Sequence, residues 1–197
     1  MSGRSRLAVA LLALLLASAC AETQPTRFYT LSALQPEAGE AAADGPVIGL
    51  ERVILPEYLD RPQIVTRAGP NRMTLAEFDI WVEPLSGMFT RVLAQNLSVL
   101  LGTKDVVILP ELRDVRFDHQ VQATVIQFDI DEAGQAVLDA LWAVHGRDRG
   151  RLIRQDRSQI TEAVAEPGDH AAIAAALSRA LEGLSRDIAD VIQPSGS

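Results

Sequence analysis

Residues 116–164, RFDHQVQATVIQFDIDEAGQAVLDALWAVHGRDRGRLIRQDRSQITEAV, decide the fold. They parse into three strand candidates, Arg116–Ile130, Gln135–Arg147 and Arg151–Val164, rich in β-branched and large apolar residues. The connections Asp131–Gly134 and Asp148-Arg149-Gly150 contain glycine and are short enough for hairpins, so the three strands are expected to form an antiparallel meander.

A half-exposed strand alternates apolar and polar residues. The middle candidate does not. Ala136, Leu138, Ala140, Trp142 and Val144 point one way, while Val137, Leu141 and Ala143 point the other with only Asp139 and His145 polar. The first candidate changes phase, from Phe117, Val121, Ala123 and Val125 to Ile126, Phe128 and Ile130. Two readings fit: a central strand beside a strand carrying a β-bulge, or a second sheet face covered by another subunit.

Two helices flank the meander. The first begins near Pro84, a residue suited to a first helical position, with Glu83 at the positive end of the helix dipole. Its face is Leu85, Met88, Phe89, Val92, Leu93, Leu97, Leu100 and Leu101, and Gly102 is placed to end it. The last helix follows Pro167-Gly168 with Asp169 as N-cap, and Ile173, Leu177, Leu181, Leu184, Ile188, Val191 and Ile192 keep one apolar face. Shorter strand candidates precede the meander: Phe28–Leu31, Val47–Leu55, Gln63–Arg67, Arg72–Ala76 and Asp105–Leu109. The expected class is α+β, a largely antiparallel sheet with two long amphipathic helices packed on one face.

The chain has 197 residues and a formal net charge of −8. The length suits one domain. An acidic chain without a basic stripe is a poor partner for nucleic acid, and none is expected. One cysteine excludes a disulfide framework within the chain, and three histidines exclude most zinc patterns.

The amino terminus carries Arg4 and Arg6, an unbroken apolar run from Leu7 to Leu16, and small residues at Ala17-Ser18-Ala19. This is the order of a secretory signal. As a helix, Leu7–Ala19 would reach about 20 Å, short of the hydrocarbon core. The only cysteine, Cys20, follows at once, so that Leu16-Ala17-Ser18-Ala19-Cys20 resembles the lipobox of bacterial lipoproteins, with Ala17 where that family prefers leucine. The resemblance implies that Cys20 becomes the acylated first residue. Several acyl chains give stable anchoring where one is marginal. Ala21, where a retention signal would carry aspartate, implies by the same resemblance the outer membrane. The expected division is a signal segment 1–19, an acylated cysteine and short tether 20–27, one folded domain 28–193 and a tail 194–197.

Catalytic signatures are absent from the sequence. His119, His145 and His170 have no ligand spacing. The run from Asp129 to Ala140 starts like a calcium loop but has Ala133 and Ala140 where ligands are needed. No phosphate loop or nucleophile elbow occurs, so neither an enzyme nor a cofactor beyond lipid on Cys20 is expected. Arg147, Arg149, Arg151, Arg154 and Arg157 gather on one hairpin, either as a solvated tip or as a contact for anionic headgroups or an acidic partner.

The remaining motifs carry a family resemblance. Arg27-Phe28-Tyr29-Thr30-Leu31 resembles the start of the auxiliary lipoproteins of ABC-type transport systems, the PqiC-like family. Residues 53–65, VILPEYLDRPQIV, followed by Arg67, resemble that family's proline-tyrosine-leucine segment. Trp81-Val82-Glu83-Pro84-Leu85 and Arg91–Leu97 are similar to its entry into the long helix, with Ile80 replacing a basic residue. The resemblance implies an accessory protein of MCE-domain tunnels that carry phospholipid or other hydrophobic molecules across the envelope, working with an ABC permease and ATPase. It also implies a homo-oligomeric ring. The candidate partner or assembly contacts are Tyr58, Leu59, Trp81, Glu83, Arg147, Arg149 and Arg151; for Pro56, Tyr58, Leu59, Pro62, Trp81 and Pro84 a core or turn role is the preferred reading over partner contact. The alternatives in function are a structural envelope lipoprotein and a monomeric lipid-binding module.

Overall fold

The computed structural model describes residues 24–36, 45–110, 116–147 and 150–193. The signal segment, Cys20, Arg149 and the 194–197 tail lie outside them. The elements are β1 (Arg27–Tyr29), β2 (Ile48–Leu50), a 3-10 turn (Glu57–Leu59), β3 (Gln63–Gly69), β4 (Arg72–Trp81), α1 (Leu85–Leu100), β5 (Val106–Ile108), β6 (His119–Ile130), β7 (Gln135–Gly146), β8 (Leu152–Ala163) and α2 (His170–Ile192). Two helices and one eight-stranded, mostly antiparallel sheet make the expected α+β fold.

The meander is β6–β7–β8, three strands of 12 residues paired antiparallel. One row across it shows where the helices sit. Phe128, Leu138 and Ile160 stand side by side in register on adjacent strands. Phe89 of α1 meets Phe128 edge-on, with ring centroids 5.0 Å apart. At the other end of the row Gly183 of α2 lies so close that a Cβ there would stand 3.0 Å from Ile160 Cδ1. Both helices therefore cover the same face. Ala136, Leu138, Ala140, Trp142 and Val144, the residues expected to point one way, are all buried.

The phase change in β6 is a β-bulge. The β6–β7 register shifts between Val125 and Gln127, so Val125 and Phe128 both reach the core while Ile126 is left 43% exposed. β7 is central in the meander, and Leu141 on its outer side is also 43% exposed.

The first half of the chain departs more from expectation. Residues 47–55 do not form one strand. β2 pairs parallel with β6 over Ile48–Leu50, but the Val53 N–H donates to Thr90 Oγ1 of α1 at 3.1 Å and leaves the ladder. The chain rejoins β6 only at Ile54, through an isolated bridge to Thr124. β4 runs on to Trp81, five residues past the expected end, because its last residues pair with β1. That pairing is parallel, as are β2 with β5 and β6, and β3 with β6.

The helix ends follow the expected chemistry. Asp169 accepts from the Ala171 and Ala172 N–H groups, and Gly102 after α1 takes a left-handed φ of 58°. Between the helices, fully buried Asn96 accepts from the Leu34 N–H at 2.8 Å and donates to Ser185 Oγ at 3.0 Å. The segment after β1 is thus held against the helix pair; the Ser32 N–H donates likewise to Ser178 Oγ at 3.0 Å. Leaving such buried groups unmatched would cost about 1–3 kcal/mol each.

The approach at Gly183 gives a direct check on this packing. Gly183→Val should lower the denaturant midpoint of unfolding by the equivalent of about 1–3 kcal/mol, because two methyl groups must displace Ile160. A midpoint equal to that of the parent would show that α2 does not sit this close to β8.

Candidate functional site

The prolines of the 56–62 segment shape a tight turn. The Leu59 N–H donates to Pro56 O at 3.0 Å and the Asp60 N–H to Glu57 O at 3.0 Å. The Arg61 side chain closes back on Tyr58 O at 2.8 Å. Two backbone bonds then join this turn and β1 to the end of β4: the Trp81 N–H donates to Pro62 O at 2.7 Å, and the Val82 N–H to Tyr29 O at 2.9 Å. The result is a surface groove of about 320 Å³, with Asp60, Arg61 and Pro62 on one side and Val82, Glu83 and Pro84 on the other. Trp81 lines its depth and is only 5% exposed.

The structure brings Trp81 and Glu83 together in this groove. Tyr58 and Leu59 belong to the same turn but point inward: Leu59 is a core residue, and the Tyr58 hydroxyl donates to Asp129 Oδ2 at 2.6 Å. Glu83 is ion-paired with Arg91 of α1. Arg147 and Arg151 are exposed at a different place, the β7–β8 hairpin, where Arg147 pairs with Asp118 at 2.7 Å. Tyr58 meets β6 at Asp129, near its far end, about 35 Å along the strand from that hairpin. The six expected contacts among the described residues therefore lie in more than one place.

Two buried carboxylate clusters go beyond the sequence reading, in which Asp129 is only the start of a failed calcium loop and Asp79 is not singled out. Asp129 has no exposed surface and receives Tyr58, Arg67 Nε at 3.0 Å, Arg67 Nη2 at 3.1 Å and Gln127 Nε2 at 2.8 Å. The Arg67 guanidinium also stands 6.0 Å from the Tyr58 ring centroid. Burial, then the bond to Asp129, pushes the Tyr58 hydroxyl pKa well above the ordinary tyrosine value. Asp79 is built alike. It is 4% exposed, Arg27 reaches it at 2.8 Å and 2.7 Å, and the Tyr29 hydroxyl donates at 2.7 Å. His170 Nδ1 lies 3.4 Å away. The Arg27 hydrogen bond, opposed by burial and aided by Tyr29 and His170, holds the Asp79 carboxyl below the usual range. The signal was present: both aspartates sit in the same tripeptide, Phe78-Asp79-Ile80 and Phe128-Asp129-Ile130, a lone carboxylate between large apolar residues of a strand.

Both carboxylates are engaged by several donors at once. Among the described residues no group of three or more histidine, cysteine, aspartate or glutamate side chains is arranged to hold a metal ion. No helix among them is long and apolar enough to cross a membrane.

The model of the ABC-type transport auxiliary lipoprotein component family matches residues 29–189, a span that includes the turn, the groove and both carboxylate clusters. The chain belongs to that family. Its members are described as lipoprotein auxiliaries of transport systems, which puts the family in the membrane-attached part of the cell envelope. No curated protein matches the sequence. An uncharacterized protein of solved structure shares the fold with a TM-score of 0.70 at 19% identity, over 86% of this chain and 100% of that one. Protein XCC0632 from Xanthomonas campestris does so with a TM-score of 0.67 at 16% identity, over 83% of this chain and 93% of that one.

The depressed Asp79 sets a pH dependence. A carboxyl whose folded pKa lies below its unfolded value stabilises the fold fully above the unfolded value, about 3.9. That stability is lost as pH falls through the folded pKa. Unfolding free energy should therefore drop with acidification below about pH 4. Asp79→Asn should flatten that part of the profile; an unchanged slope in denaturant titrations at successive pH values would remove Asp79 from the account.

Proposed function

We propose that this protein is a lipid-anchored, non-catalytic auxiliary subunit of an ABC-type system with an MCE-domain tunnel, moving phospholipid or another hydrophobic molecule across the envelope. The observation that carries the reading is a pairing in one chain: a family match over residues 29–189, and a sole cysteine at the end of a signal-like segment just before it. In this reading Cys20 bears the acyl chains and holds the domain at the periplasmic face of the outer membrane. The tunnel protein, and through it the permease and ATPase, are the partners.

Bare apolar side chains on the outer side of the meander, Ile126 and Leu141 among them, support self-association into a homo-oligomeric ring. Several acylated subunits on one ring would detach slowly, since the remaining anchors keep each released one at high local concentration.

Cys20→Ser should move the protein out of the membrane fraction. Unchanged retention would defeat the anchor. The unacylated domain should sediment as a multimer at roughly tens of micromolar, and a clean monomer there would defeat the ring.

A further inference from the structure

Exposed large apolar residues are ordinary when scattered and informative when they adjoin. Phe28 is 63% and Val82 58% exposed, among the barest large apolar side chains of the described residues. They adjoin: Phe28 stands in register with Ile80 on the β1–β4 pair, and Val82 follows two residues on, its N–H on Tyr29 O. Among the described residues β1 pairs with β4 alone, and no strand lies beyond it. Its neighbours Arg27 and Tyr29 turn to the other side and bind Asp79, which fixes Phe28 outward.

The position in the chain points to an occupant. β1 begins at Arg27, seven residues after Cys20. Even fully stretched, that tether spans about 25 Å. If Cys20 is acylated, Arg27 cannot stand further than that from the bilayer surface, and Phe28 is the next residue. We propose that Phe28 and Val82 form a second membrane contact, seated in the interfacial zone of the same bilayer that holds the acyl chains. This rests on the anchor reading above.

The rim of the patch is close to neutral, with Arg27 held by Asp79, Glu83 paired with Arg91, and Arg61 near Asp60 in the groove. The contact is therefore apolar insertion, not attraction to anionic lipid, and it should survive high salt and form on zwitterionic vesicles. Its effect is orientation. A single flexible tether lets a domain tumble; a second contact at β1 and the β4 end fixes which way the sheet stands on the membrane.

Thioether formation consumes the only native cysteine, so Val82→Cys offers one free thiol for an environment-sensitive fluorophore. The acylated full chain carrying this label is reconstituted in phosphatidylcholine vesicles with and without nitroxide-labelled acyl chains. Emission should fall about twofold or more with the quencher, as expected for a group in the headgroup–acyl boundary, and should not change with salt. A label at exposed Thr161→Cys on β8, four strands across the sheet from the β4 end that carries Val82, at about 19 Å, should stay unquenched. An unquenched Val82 label on acylated, vesicle-bound protein overturns the proposal and leaves the anchor standing. Shielding of the same label in lipid-free Cys20→Ser protein assigns the patch to a second copy and also overturns it. An intact mass without acyl chains removes the anchor, and this contact with it.

Discussion

The constraint on which the rest of the structure depends is the burial of two of its carboxylates, Asp79 and Asp129. A carboxylate largely withdrawn from water is tolerable only when donors surround it. Asp129 collects its donors from the 3-10 turn, from β3 and from its own strand. Asp79 collects them from β1 and lies against the first residue of α2. Each carboxylate sits beside a short parallel ladder. β3 meets β6 at one parallel pair, Thr66 with Ile130, and β1 meets β4 over three residues. Hairpins fix register through their turns, but these parallel joins have none. The side-chain clusters supply the register that the ladders do not.

That division explains what was legible in the sequence. The meander could be read because its strands are long, its turns are short, and each neighbour in sequence is a neighbour in space. Even the bulge left a mark, the shift of apolar phase after Val125. Helix starts and stops were written locally in Pro84, Gly102 and Asp169. The first half was harder because its decisive contacts are distant. Tyr58 and Asp129 are 71 residues apart, and Arg27 and Asp79 are 52. Residues 47–55 have the composition of a strand, yet one side-chain oxygen on a helix, that of Thr90, takes the Val53 N–H and breaks it. No window of local sequence contains that competition.

The same logic sorts the candidate site. Tyr58, Leu59 and Trp81 carried the family resemblance and invited a reading as partner contacts. In the fold they are consumed from within: one is a donor to a buried carboxylate, and the other two are core side chains.

What the architecture does not require is therefore the better place to look for recognition. Phe28, Val82, Ile126 and Leu141 are only partly used by the fold, since each leaves a large part of its surface in water. They also lie apart. Phe28 and Val82 are at the β1 side of the sheet, next to the start of the chain, while Ile126 and Leu141 are on the outer side of the meander. A protein held at a membrane and assembled with copies of itself needs two such surfaces at different places. A freely diffusing monomer needs neither, and would be more soluble without them.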